Sequence, residues 1–187
     1  IISTDSDITG VLGFDSTSMK GFNIIGSLTI NANLTMNATD ITSDSKFTIG
    51  GSNSLTIKGS SSEIDTIAGY TALPSDFIAN ITDTSVTASN LNTINTNTTV
   101  AVNLNNVTSL TNSSLSDLDT LATAINNNDF TNATGLTTIA ISDTTIDATT
   151  LANTIDSYDI INSSATTNMT LPSGATINVD ADEITHM

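Results

Sequence analysis

Ile81–Asn95 reads ITDTSVTASNLNTIN, and Ile141–Ile155 reads ISDTTIDATTLANTI. Asp83, Thr84, Ala88 and Leu91 recur as Asp143, Thr144, Ala148 and Leu151, sixty positions on in each case. Identities recurring at one fixed offset mark a duplicated unit, and duplication on this scale is the signature of a stacked array. In each copy a strand-like stretch, ITDTSV or IAISDTTI, leads into the apolar spacing of a short helix, SNLNTIN or TTLANTI. Units of an array bury their apolar faces against their neighbours, so such a chain gains length and surface without gaining a new site.

A second element recurs between the copies: SSEIDTIAGY at Ser61, SLSDLDTLATAI at Ser114, and DADEITHM from Asp180. Ser or Asp, then acidic residues, then apolar residues at helical spacing is the start of a capped helix with acids in its first turn. Leu115, Leu118, Leu121 and Ile125 form the clearest such stripe. TTVAVNLNNVTSL from Thr98 corresponds to TNMTLPSGATINV from Thr167, and both lead into this second helix. The unit therefore reads strand, short helix, strand pair, second short helix, loop. Its last copy stops at Met187 in mid-pattern and Ile1 is no initiator Met, so the chain is expected to be a piece of a longer array.

Upstream, Gly21–Lys58 carries SLTIN at Ser27, NLTMN at Asn33, KFTIG at Lys46 and SLTIK at Ser54. Each alternates apolar, Thr, apolar, the pattern of a half-buried strand. The leading apolar residues Leu28, Leu34, Phe47 and Leu55 lie too close together for intervening helices, and Asn, Asp, Ser and Gly between them suit tight turns. The expected fold is mainly β, a parallel β-solenoid-like repeat array with short interspersed helices; tandem β-sandwich domains built of hairpins are the alternative. The expected organisation is a strand-rich segment over 1–60, then composite repeats over 61–187.

Composition narrows the function. Ile, Leu, Val and Phe number 23, 14, 6 and 5 of 187 residues, above the level of disordered chains, so the chain folds. With no Trp and two Tyr its core is aliphatic. Thr, Ser and Asn (36, 24 and 22) make the polar surface hydroxyl and amide, as in secreted or surface-exposed bacterial proteins. There is no Arg, Lys20, Lys46 and Lys58 are the only lysines, and fourteen of nineteen acids follow Gly59. Phosphate binding needs clustered cations, so nucleic acid is not expected as a partner, nor is an anionic membrane surface. No apolar run approaches the roughly 20 residues of a membrane helix. The absence of Cys removes disulfide and thiolate chemistry.

The stretches ITDTSVTASNLNTIN and NNVTSLTNSSLSDLDTLA, with their second copies, resemble the repeat regions of large secreted bacterial surface proteins, namely surface-layer proteins and giant adhesins exported by type I secretion. The resemblance covers Ser61 to Met187. It implies an exposed structural role supported by calcium, and carries no catalytic residues. The glycine-rich calcium-binding nonapeptide of many such proteins is absent, because Gly50-Gly51 is followed by Ser-Asn-Ser.

Calcium, the candidate cofactor, takes six to eight oxygen ligands, which close carboxylate pairs could supply. The pairs are Asp5/Asp7, Asp117/Asp119, and Asp180/Asp182 with Glu183; Asp117, Asp119, Asp180, Asp182 and Glu183 are the candidate ligands. The competing reading has Asp117 and Asp119 complementing a helix N-terminus and the others facing water. Nine Asn-x-Ser/Thr triplets occur where composition alone gives about seven, so they do not indicate glycosylation. Asn126-Asn127-Asn128-Asp129 reads as a helix-ending loop. The single His, His186, has no counterpart in the other copies, which argues against a Ser-His-Asp relay. No catalytic residue is assigned, and the chain is not expected to be an enzyme; a two-carboxylate hydrolase acting on polysaccharide is the least favoured reading.

The expected function is that of an extracellular structural protein, part of a bacterial surface layer or cell-surface array that self-associates into a lattice or filament. The stalk or ligand-binding region of a giant adhesin, with cell-surface polysaccharide as partner, is the alternative.

Overall fold

The computed structural model describes residues 6–9, 28–31, 33–41, 43, 47–71, 73–162 and 167–180. The chain divides into two compact units, 1–82 with 93–102, and 83–92 with 103–187.

The first unit contains β1 (Ser6–Thr9), β2 (Leu28–Asn31), β3 (Leu34–Asn37), β4 (Phe47–Ile49), β5 (Leu55–Gly59), α1 (Ser61–Ala68) and β6 (Ile78–Ile81). The four apolar–Thr–apolar triplets fall on β2 to β5. Strand β2 pairs in parallel with β1 and β4, and β5 in parallel with β3 and β6. Leu34 lies opposite Leu55 and Met36 opposite Ile57, and all four are buried, while Thr35 faces out. Burying alternate residues fixes this register, since a slip of one position would turn the apolar set outward. Asn33 holds the start of the ladder: its Oδ1 accepts from Ser54 N–H at 2.9 Å, 21 residues along the chain, and Leu34 N–H donates to Ser54 C=O at 2.9 Å.

Strand β5 runs directly into α1 through Gly59 and Ser60. Ser60 Oγ accepts from Glu63 N–H at 3.2 Å and Glu63 Oε2 accepts from Ser60 N–H at 2.8 Å, a reciprocal capping box. A Cβ on Gly59 would lie 3.0 Å from both Ala38 Cβ and Glu63 Oε2, so glycine is what lets strand and cap approach this closely. Ile64 and Ile67 point from α1 into the core.

The remaining elements are β7 (Ser85–Val86), α2 (Ala88–Asn97), β8 (Val102–Asn103), β9 (Ser109–Ser113), α3 (Leu115–Asn126), β10 (Phe130–Thr131), β11 (Thr138–Ile141), β12 (Thr145–Asp147), α4 (Ala148–Ile161), β13 (Asn168–Thr170) and β14 (Thr176–Asn178). In the second unit β7, β9, β11 and β13 form a four-stranded parallel sheet, and β12 pairs in parallel with β14. Val86, Leu110, Ile139 and Met169 stand opposite one another across the sheet, and the first three are at most 2 % exposed. Helix α3 stops as its Asn run predicts. Asn128 takes the left-handed conformation (φ 65), Asn128 N–H donates to Ile125 C=O and Asp129 N–H to Ala124 C=O, each at 3.0 Å. This is a Schellman ending, with Asn serving where glycine is usual.

The expectation of a mainly β, solenoid-like array is overturned, and so is that of β-sandwich hairpins. The fold is α/β: four α-helices of 8 to 14 residues alternate with parallel sheets among the described residues. Two physical reasons account for the error. Parallel partners need a long crossover, which is commonly a helix, whereas hairpins would give antiparallel pairs. The Thr-rich composition favours strand by intrinsic preference, yet the helix expected only over TTLANTI runs from Ala148 through Ile161 in α4 (ATTLANTIDSYDII), because packing outweighs the weak preference of Thr.

The sixty-residue repeat reappears as one element order, β6–β7–α2 and β11–β12–α4. Equivalent strands nevertheless join different sheets, for β11 lies in the sheet of β7 and β6 does not. Neighbouring strands are paired across 19 to 31 residues, as between Leu28 and Phe47 and between Thr145 and Thr176, so one repeat spans two strand-pairing steps.

Candidate functional site

The densest polar constellation in the second unit surrounds the N-terminus of α3. Ser114 is its N-cap: Ser114 Oγ accepts from Asp117 N–H at 3.1 Å and donates to Asp117 Oδ2 at 2.7 Å. The first helical N–H, that of Leu115, donates to Asp143 Oδ2 at 2.7 Å. Asp143 is thus the repeat's recurring Asp, reaching 28 residues back to satisfy a helix end. Ser113, 1 % exposed, accepts from Ala88 N–H through its Oγ at 2.9 Å and so caps α2 as well. Asn92 on α2 donates from Nδ2 to Asp117 C=O at 3.0 Å, and its buried Oδ1 has no hydrogen-bond partner.

This arrangement ties α2 and α3 together. Both carboxylates, Asp117 and Asp143, accept hydrogen bonds at the N-terminus of α3. The Ser114 hydroxyl bonded to Asp117 is itself the cap of α3, and Asp143 accepts from the first N–H of the same helix.

Asp117 and Asp119 both lie on α3, but residues two apart on a helix do not face each other. Asp119 instead adds negative charge near Tyr158. Asp180 follows β14, outside any metal-binding group: among the described residues no three His, Cys, Asp or Glu side chains are placed to hold a metal ion. Asp182, Glu183 and His186 lie outside the described residues, as do Asp5 and the helix expected from DADEITHM; of Asp7 only the strand backbone is described.

Helices α3 and α4 are joined by a buried phenol. Tyr158 is fully buried and its hydroxyl donates to Leu118 C=O at 3.0 Å. Burial, then the Asp119 charge, raise its pKa far above the ordinary phenol value. At the start of α4 Asp147 Oδ1 accepts from Thr150 N–H at 2.8 Å and from Thr150 Oγ1 at 2.9 Å, and these bonds hold its pKa below the ordinary Asp value. Neither residue stands out in the sequence, because their roles depend on what α4 packs against.

In the first unit a shallow groove of about 210 Å³ lies between residues 38–41 and α1, lined by Ala38, Thr39, Ile41, Glu63, Thr66, Ile67 and Tyr70. It is smaller than the roughly 300–1,000 Å³ of ordinary ligand pockets. Its polar groups are partly engaged, Glu63 by the capping box and Thr66 Oγ1 by Ser62 C=O at 2.8 Å. No helix of the described residues is long and apolar enough to cross a membrane.

With the fold and these sites in view, comparison with known proteins adds no assignment: no family model, no curated protein and no solved structure matches the chain.

Proposed function

We propose that this chain is an extracellular structural protein, a segment of a bacterial surface layer or cell-surface array. The observation that carries this reading is the use to which the recurring residues are put. Ala88 and Leu91 of the first copy are wholly buried, and Asp143 of the second caps the helix before it. Residues repeated for function would converge on a site, whereas these fill a core and cap a helix within the second unit.

Composition supports the same reading. An exterior of hydroxyl and amide groups resists nonspecific binding, and a net charge of −16 keeps free chains apart until a specific joint forms. The activity is mechanical: parallel ladders and capped helices transmit load along a hydrogen-bonded structure.

Electron microscopy of the native cell surface, with antibody raised against this chain, tests the proposal. Label over an ordered lattice or fibre is the expected result. Label confined to isolated stalks, together with saturable sugar-specific binding by the purified chain, would replace it with the adhesin reading. Label inside the cell would refute both.

A further inference from the structure

The groove between residues 38–41 and α1 brings three kinds of side chain to one concavity. Its floor is aliphatic, with Ala38, Ile41 and Ile67 at most 4 % exposed. Tyr70, half-buried where Tyr158 is fully buried, adds an aromatic ring, and Glu63 adds a carboxylate. All the lining residues are described, and none of them is basic.

The carboxylate is held in place before any ligand arrives. Glu63 Oε2 accepts from Ser60 N–H at 2.8 Å while Glu63 N–H donates to Ser60 Oγ at 3.2 Å, and this capping box uses only one of the two carboxylate oxygens. A group already fixed loses less freedom on binding, which is what a specific site requires. Thr66 Oγ1 donates its proton to Ser62 C=O at 2.8 Å, so toward a ligand it can only accept.

These groups select the ligand by charge and by hydrogen-bond polarity. Glu63 and Thr66 both offer acceptors, and an ammonium group has three donors and no acceptor. The face of an aromatic ring such as Tyr70 also attracts a cation. An anion would meet Glu63 with no basic lining residue to offset it, and the net charge of −16 draws cations toward the chain as a whole. We propose that this groove binds a small organic cation, an aliphatic ammonium whose head meets Glu63 and Tyr70 while its alkyl part lies on Ile41 and Ile67. A volume of about 210 Å³, below that of drug-sized ligand pockets, suits a short chain or a single ring. The site goes beyond the structural role above and does not depend on it.

Nuclear magnetic resonance titration of the isotope-labelled full chain with butylammonium chloride, at constant total chloride, tests this, with n-butanol as the uncharged counterpart. The expected result is a saturable set of amide shifts confined to residues 38–41, α1 and Tyr70, with butanol bound roughly tenfold more weakly for want of a charge-assisted hydrogen bond. Glu63→Gln keeps a residue suited to the capping box and removes the charge, so it should weaken butylammonium by a similar factor and leave butanol unaltered. Tyr70→Ala should weaken butylammonium too, and unchanged circular dichroism would verify the fold of both variants. Shifts that spread over the acidic surface without saturating, equal binding of butanol and butylammonium, or either variant binding butylammonium like wild type would each overturn the proposal. None of these outcomes bears on whether the chain is found in a surface lattice, so the two readings fail separately.

Discussion

Asp143 Oδ2 accepts the N–H of Leu115 at 2.7 Å across 28 residues of chain, so the most recognisable position of the repeat is a remote cap on the helix of the preceding step. Four N–H groups at a helix start have no partner within the helix. Ser114 serves one of them locally through Asp117 N–H, and Asp143 serves another from β11–β12. Asp143→Ala is therefore expected to lower stability by about 0.5–2 kcal/mol, the cost of losing an N-cap acceptor. Asp143→Asn retains an acceptor oxygen and should lose less. Urea unfolding of the three proteins, with unchanged m-values, measures both; an alanine variant as stable as wild type would show the bond to be incidental.

Local structure was legible where one residue and its near neighbours determine it. The strands at 28–31, 34–37, 47–49 and 55–59, the cap at Ser114 and the Asn-run ending of α3 all follow from short patterns, whereas α1 is capped by Ser60, one residue before the stretch from Ser61 that marks its start in the sequence. The balance of helix to strand was not, because α4 is held by the contact of Tyr158 with Leu118, 40 residues apart, and not by its own Thr-rich sequence. The candidate site fared similarly. Asp143 is visible as a repeated residue, but its target is set by strand stacking at an interval half that of the repeat. Asp117 and Asp119 are two positions apart in sequence and separated by the turn of a helix.

The Tyr158 phenol donates to a helix carbonyl in a site where its anion would be both unsolvated and near Asp119. Because its folded pKa is raised, the neutral form contributes stability that is fully present below the unfolded value of about 10 and lost as pH climbs above it. Tyrosinate absorbance of one of the two tyrosines should thus appear only as the chain unfolds in alkali. Tyr158→Phe is expected to cost about 0.5–1.5 kcal/mol at neutral pH and to remove that late absorbance step. Smooth ionisation of both tyrosines in the folded protein would contradict the burial on which this rests.

Asp147 gives the opposite dependence. Thr150 N–H, and then the Thr150 hydroxyl, stabilise its carboxylate and depress its pKa. Its contribution is present above the unfolded Asp value of about 3.9 and fades as pH falls through the lower folded value. Asp147→Asn keeps an oxygen at the cap without the charge. The stability gap between wild type and this variant should accordingly narrow as the solution is acidified from neutrality to below the Asp range. A gap constant with pH would mean that the charge on Asp147 does nothing for α4.

The ladder that organises the second unit can be probed at its centre and at its surface. Ile139 is fully buried between Leu110 and Met169, so Ile139→Ala removes close-packed methyl groups from a site with no room to collapse. The expected loss is about 2–5 kcal/mol. Ile160 on α4 is 72 % exposed, and there alanine sacrifices almost no burial while improving helix propensity. Ile160→Ala should therefore stay within about 0.5 kcal/mol of wild type. The comparison uses one substitution in two settings, so the side-chain change is the same and burial is the largest difference between them. Comparable losses at both positions in thermal unfolding would place Ile139 outside the core and undo the register of β9, β11 and β13.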